Sequence, residues 1–377
     1  MQASHGIALC CTTHSLGGIE LNVLRLAGWM RQRGHHCILI VARDAPLHRH
    51  AANAGIPHVT LAVKSRYKVF GEARALARRL ADERIGTLVL NINRDLLLGV
   101  LTRRRSNGLR LVHMQHMQFG APKRDLVHRW QHAQLDAWIA PLPSLAEQTA
   151  RMTTVPRERI HVIPLGIDLG PFGNMPERIA TRRMLGLPER AFVAGVVGRL
   201  DRGKGQEFLL RATAHLRSDG RDLHVLLVGE ETRGETQDYA GHLHRLADSM
   251  HIADRVHFRG FVEDIPSAYA AMDVFTLTSL AETYGMVTIE ALASGLPVIA
   301  TETGGTPELL GEPGTALLVP AANAPALAQA IARVMDDAGL ARELGACGRL
   351  HAFARFSHEQ QCASLEQLLR ILHQPAS

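Results

Sequence analysis

Residues 278–305 read TSLAETYGMVTIEALASGLPVIATETGG, and this stretch limits the possible folds more than any other part of the chain. A short apolar run, Val274–Leu277, stops at the small polar residues Thr278 and Ser279. Glu282, Tyr284 and Gly285 follow, and then an amphipathic helical pattern carries Glu290 and ends at Gly295, Leu296 and Pro297. A second apolar run over 297–300 closes the unit at Thr303, Gly304 and Gly305. Strand, loop, helix, strand is the grammar of a parallel sheet, so the chain is expected to be α/β.

Glu282 falls in the loop and Glu290 inside the helix. At a rise of about 1.5 Å per residue, Glu290 stands roughly two turns along, on nearly the same face. The backbone N–H groups of Tyr284, Gly285, Met286 and Val287 are the unpaired donors of the helix start, and Gly285 lets an anion or a hydroxyl approach closely. Taken alone, two glutamates at this spacing are usually a cap and a solvated surface charge. Their surroundings change that reading. The stretch resembles the signature of the retaining GT-B glycosyltransferases of family 4, which here falls on Ser279, Glu282, Tyr284, Gly285, Glu290, Ala291, Ala293, Gly295, Pro297, Val298, Ile299, Ala300, Thr301, Gly304 and Gly305.

Length and composition bound the rest. A chain of 377 residues with 46% apolar content is expected to form two domains, and no apolar run is long enough to span a bilayer. No secretory signal is evident at the start, and five scattered cysteines without a C-x-x-C read as reduced thiols of a cytoplasmic protein. The histidine pairs His48/His50 and His242/His244 lack further ligands at metal spacing, so no metal site is expected. The net charge of +6 hides an asymmetry: residues 1–168 carry 23 Lys and Arg against 11 Asp and Glu, whereas 169–377 carry 19 against 25. The basic half has no nucleic-acid-binding module or aromatic stacking set, so an anionic membrane surface or a phosphorylated acceptor suits it better than nucleic acid.

In the first half, an apolar strand from Gly6 to Cys11 leads to the turn Gly17-Gly18 and a helix to Arg33. Strands are expected at 37–41, 59–63, 87–90, 109–114 and 137–140, the last being the final strand of the first domain, with Ser144 capping the helix that follows it. A helix over 72–84 buries Ala73, Leu76, Ala77 and Leu80 and turns Arg74, Arg78 and Arg79 outward. With Arg103, Arg104, Arg105, Lys123 and Arg124 these form a basic surface suited to contact with a membrane. His116 lies just past the end of a strand, where open parallel sheets bind ligands, whereas His113 falls within it.

In the second half, a strand at 192–197 runs into Gly198-Arg199-Leu200 and Lys204-Gly205, a glycine-punctuated loop that lets two cations converge on one diphosphate. It is not a Walker loop. Arg202, on the same loop, is left unassigned. Further strands are expected at 224–228 and 256–258, a short apolar piece at 316–319, and helices at 324–335, 340–353 and 357–372, the last with Cys362, Leu365, Leu368 and Leu369 on its apolar side.

The resemblance covers most of the chain, strongest over 192–320 and weakest over 35–110. It implies a GT-B fold, two Rossmann-like doubly wound parallel-sheet domains facing across a cleft: 1–165 on the acceptor side, 166–355 binding the nucleotide sugar, and 356–377 a helix crossing back to the first domain. It also implies a retaining transferase that moves a hexose-like sugar from a UDP- or GDP-sugar to a hydroxyl of a glycan or glycolipid acceptor, in lipopolysaccharide or other cell-surface polysaccharide synthesis at the cytoplasmic face of the inner membrane. By the same resemblance, Gly17, Gly18 and His116 lie near the donor, and Arg199 and Lys204 stabilise the departing diphosphate. Glu282 holds the donor sugar's hydroxyls, the alternative being a nucleophile, Glu290 holds the ribose, and Phe261 and Val262 edge the base, with Tyr284, Gly285, Met286 and Val287 at the helix start and no metal cofactor. Leu165 departs from the family pattern, which has Asn at that point before Gly166 and Asp168. The competing readings are a sugar-nucleotide epimerase on the same fold, and a non-catalytic basic protein that binds nucleic acid or regulates.

Overall fold

The computed structural model describes residues 6–62, 69–231, 238–260, 262, 264–311 and 313–374. The chain divides into two compact units: one runs to Gly166 and takes in the residues from His358 onward, and the other is Ile167–Ser357.

The first unit is built on β1 (Gly6–Cys11), β2 (Cys37–Ala42), β3 (His58–Leu61), β4 (Ile85–Leu90), β5 (Arg110–Met114), β6 (Ala137–Ala140) and β7 (Ile160–Val162). They form one sheet in the order β3-β2-β1-β4-β5-β6-β7, every pairing parallel. Parallel strands need helical crossovers that cover both faces, which is why β1 and β2 read as unbroken apolar runs buried along their length. The sequence expectation ended this sheet at β6; the edge strand β7 extends it. Three residues, none of them fully buried, give too little apolar patterning to mark a strand. Nor is Ser144 a cap: the helix is Pro143–Met152, with Leu142 at the cap position and the proline fitting the first turn, where its missing N–H is no loss.

The helix Phe70–Asp82 buries Ala73, Leu76, Ala77 and Leu80 and exposes Arg74, Arg78 and Arg79, as its periodicity requires. No helix among the described residues is long and apolar enough to cross a membrane.

The helix His358–His373 belongs to the first unit and is fastened to the helix Gly18–Gln32 and the turn after it. Arg33 forks onto Glu366 at 2.7 and 2.9 Å, His35 Nε2 lies 2.9 Å from the same carboxylate, and Trp29 stacks on His358. The Arg33 fork, with His35 beside it, pulls the Glu366 pKa down to about 2. A lowered carboxylate pKa stabilises the fold above the unfolded value and loses that contribution as pH falls through the folded one. Glu366→Gln is therefore expected to destabilise the protein by about 1–2 kcal/mol at neutral pH. In paired melts the gap from the parent narrows between about pH 4.5 and pH 2; a gap independent of pH there contradicts the assignment.

The second unit contains β8 (Phe192–Val197), β9 (Leu223–Val228), β10 (Val256–Arg259), β11 (Val274–Leu277), β12 (Val298–Thr301) and β13 (Leu317–Val319). Its sheet runs β10-β9-β8-β11-β12-β13, again all parallel. In each unit the strand order reverses once, between β1 and β4 in the first and between β8 and β11 in the second. At such a reversal the crossovers leave in opposite directions and open a crevice at the carboxyl ends of the two strands.

Candidate functional site

In the second unit that crevice is formed by the loop after β8 and the loop after β11. They are tied backbone to backbone, Leu280 N donating to Gly203 O at 2.8 Å, and Thr278 Oγ1 donates to Lys204 O at 2.8 Å. Gly205 makes the approach possible. Its φ is +64°, and a Cβ there would stand 2.2 Å from the Thr278 carbonyl oxygen. A third loop, after β12, braces the same turn: Thr301 Oγ1 donates to Ser279 O at 2.7 Å, and Gly305 N to Glu282 O at 3.0 Å.

This bracing brings Lys204 and Glu282 together, 78 positions apart in sequence, with Nζ 2.7 Å from Oε2; Ser279 Oγ donates to the same oxygen at 3.1 Å. The Glu282 side chain is only 11% exposed, so this charge is held in a pocket rather than in bulk water. Gly285 is in the left-handed region at φ +81°, and the Cβ it lacks would lie 3.3 Å from Glu282 Cγ. The helix Met286–Ala293 starts on it. One cation, one carboxylate and one helix start thus lie side by side at the crevice. Tyr284 is buried beside Phe356, and Met286 and Val287 are half-buried in the first turn. Glu290 lies in the second turn, where its Oε2 accepts a hydrogen bond from the Tyr269 hydroxyl at 2.9 Å.

Arg199 is on the loop that carries Lys204, but its guanidinium is half exposed and lies 3.2 Å from Asp201. Gln206 Nε2 donates to its carbonyl at 2.7 Å. The unassigned Arg202 stacks over the Tyr239 ring, 5.9 Å from its centroid. Val262 follows β10 and is half-buried; Phe261 lies outside the described residues. Among the described residues no group of three or more His, Cys, Asp or Glu is placed to hold a metal.

Gly17, Gly18 and His116 lie in the first unit, at the carboxyl ends of β1 and β5. Gly17 N donates to the Glu20 carboxylate at 2.8 Å and Ser15 Oγ to its other oxygen at 3.1 Å, so Glu20 closes its own turn. His116 leans on Asn91, a residue that the sequence reading passed over. Asn91 Nδ2 donates to Cys10 O at 3.2 Å, which fixes its amide and turns Oδ1 toward His116 Nε2, 3.1 Å away. Nε2 therefore carries the proton, and burial pushes the imidazole pKa down to about 4, against the opposing charge of Glu20. At neutral pH His116 is an uncharged ring whose buried Nδ1 is an acceptor with no hydrogen-bond partner among the described residues. Asn91→Asp is expected to raise the His116 pKa by about one to three units, measured by NMR titration; an unmoved value contradicts this pairing.

Asp95 was also missed. It is buried, and accepts from Thr12 N at 3.0 Å and from Thr12 Oγ1 at 2.5 Å, which fastens the end of β1 to the turn after β4. Asn91 and Asp95 share one legible signal with His116: each is a polar residue shortly past the carboxyl end of a buried strand.

A family model for glycosyltransferase family 4 matches residues 16–170, and one for glycosyl transferases group 1 matches 191–337. Together they take up well over half of the chain. The chain belongs to the family 4, group 1 glycosyltransferases.

A D-inositol 3-phosphate glycosyltransferase of Streptomyces bingchenggensis is 31% identical over 234 residues, 61% of this chain and 51% of that protein. The chain thus spans about half the length of the curated relatives it matches. Among solved structures, a glycosyltransferase from Rickettsia africae superposes with a TM-score of 0.89 at 18% identity, covering 99% of this chain and 100% of the other. Anabaena HepE, solved with UDP, superposes at 0.84 and 23%, covering 97% and 100%. These likenesses give this family 4 chain the GT-B fold.

Proposed function

We propose that this family 4 chain is a retaining glycosyltransferase that moves a hexose-like sugar from a nucleotide diphosphate sugar to an acceptor hydroxyl. The observation that carries the reading is the cluster at the β8–β11 crevice, where the Lys204 ammonium, the Glu282 carboxylate and the helix start at Gly285 lie together. Breaking the bond from the anomeric carbon to the diphosphate leaves positive charge on the sugar and negative charge on the phosphate oxygens. Lys204, Arg199 and the N–H groups from Gly285 to Val287 meet that negative charge, the electrostatic contribution that is usually largest in catalysis. An ammonium has three donors, so Lys204 can hold Glu282 and a phosphate oxygen together. The acceptor oxygen then attacks the same face of the sugar within the ion pair and gives its proton to the leaving diphosphate. With two protein cations in these roles, no metal is required.

Glu282 holds the donor sugar's hydroxyls, Glu290 the ribose, and Val262 with Phe261 the base edge. Gly17, Gly18 and the acceptor nitrogen of His116 serve the donor sugar; that part of the reading rests on the resemblance alone. A UDP- or GDP-sugar is the favoured donor, in keeping with the UDP-glucose held by Anabaena HepE. The acceptor is a glycan or glycolipid intermediate of cell-surface polysaccharide synthesis, drawn to the membrane through Arg74, Arg78 and Arg79. Each exposed arginine adds about 1 kcal/mol on an anionic surface, so replacing all three by alanine is expected to weaken binding to anionic vesicles by about a hundredfold; an unchanged partition removes the membrane from the reading.

The test of function is incubation with UDP-, GDP- and ADP-sugars, following release of the nucleoside diphosphate and the anomeric configuration of the product by NMR. Slow release with one donor, and retention in the product, is expected. No release with any donor, together with salt-sensitive binding of nucleic acid, overturns the reading.

A further inference from the structure

The short helix Ile265–Ala270 follows β10 and places Tyr269 with its ring fully buried. Phe172 and Phe275 seat that ring, at centroid distances of 6.3 and 5.8 Å. Its hydroxyl emerges at the helix Met286–Ala293, 2.9 Å from Glu290 Oε2 and 3.0 Å from the carbonyl of Val287. A glutamate on a helix surface ordinarily samples several rotamers, and its terminal torsion is broad. Here one carboxylate oxygen is bonded to a donor that cannot move without disturbing two aromatic neighbours. Burial and the facing Glu290 charge hold the Tyr269 pKa well above its ordinary value, so the phenol remains a donor throughout the physiological range.

We propose that Tyr269 is a positioning residue that fixes the orientation of the Glu290 carboxylate and so sets the preference of this site for ribose over deoxygenated sugars in the nucleotide. The proposal rests on the reading that Glu290 holds the ribose hydroxyls. It adds a group that holds Glu290 in place. A carboxylate aimed in advance loses little freedom when it accepts two hydroxyls, and the gain depends on those hydroxyls being present.

The test uses the full chain and calorimetric titration with UDP, GDP and ADP, each beside its 2′,3′-dideoxy counterpart. For the base the protein accepts, the parent is expected to favour the ribonucleotide by at least about tenfold, and Tyr269→Phe to narrow that ratio about fivefold while leaving the dideoxy affinity nearly unchanged. A merely structural role would weaken both ligands together. Should Tyr269→Phe fail to fold, Phe172→Leu loosens the seat of the ring, keeps the hydroxyl and is expected to narrow the ratio as well. A parent-like ratio in the folded variant overturns the proposal and leaves the Glu290 reading intact. A parent with no preference, or a preference that survives Glu290→Ala, overturns that reading and the proposal with it.

Discussion

Lys204→Ala is expected to lower turnover of the nucleotide sugar by about a hundred- to a thousandfold, the loss that follows removal of one preorganised donor from a developing anion. The substitution has a second consequence. Glu282, with only 11% of its side chain exposed, is left without the ammonium 2.7 Å away, and an unpaired carboxylate in a pocket is destabilising. The stability effect is isolated in the double variant Lys204→Ala, Glu282→Gln, which removes the stranded charge. Melting temperature should recover toward the parent while turnover stays low. If turnover recovers as well, Lys204 serves only to neutralise Glu282, and the diphosphate is stabilised elsewhere.

Gly205→Ala is expected to be severely damaging to the second unit's site. At φ +64° a non-glycine residue carries a strain of about 1 kcal/mol, and the new Cβ would overlap the Thr278 carbonyl oxygen at 2.2 Å. That oxygen is backbone and cannot rotate away, so the two loops must part, and the bonds from Leu280 N to Gly203 O and from Thr278 Oγ1 to Lys204 O go with them. A loss of about 3 kcal/mol or more in denaturant melts is expected, together with loss of turnover, because Lys204 no longer meets Glu282. A variant that melts within about 0.5 kcal/mol of the parent would show that the loops do not depend on this contact.

Much of this architecture is legible in the chain because parallel strands buried on both faces write themselves as apolar runs, and the glycine turns beside them fall where ligands bind. The stretch from Val274 to Gly305 is the clearest case: strand, loop, helix and strand all lie in one continuous segment, and Glu282 and Glu290 with them. What could not be read are the partners that come from elsewhere. Nothing in the spacing of Asn91 says that its amide is pinned by Cys10 and so turned to His116. Nor does the sequence around Tyr269 show that its hydroxyl reaches a helix that begins 17 residues later. Arg199 is a further case of a partner that the loop pattern does not show. The loop pattern placed it beside Lys204, which is right for the backbone, yet its side chain turns to Asp201, a local carboxylate that the diphosphate would have to displace. The edge strand β7 was missed for want of a buried face.

Titration of the full chain with a nucleoside diphosphate and with the same nucleoside lacking phosphates, in the parent and in Lys204→Ala, bears most directly on the cluster formed by Lys204, Glu282 and Gly285. The parent should bind the diphosphate at least about a hundredfold more tightly than the nucleoside, and Lys204→Ala should lose most of that difference while its affinity for the nucleoside stays the same. Equal binding of the two ligands by the parent, or an undiminished preference in the variant, would contradict a diphosphate site at the β8–β11 crevice.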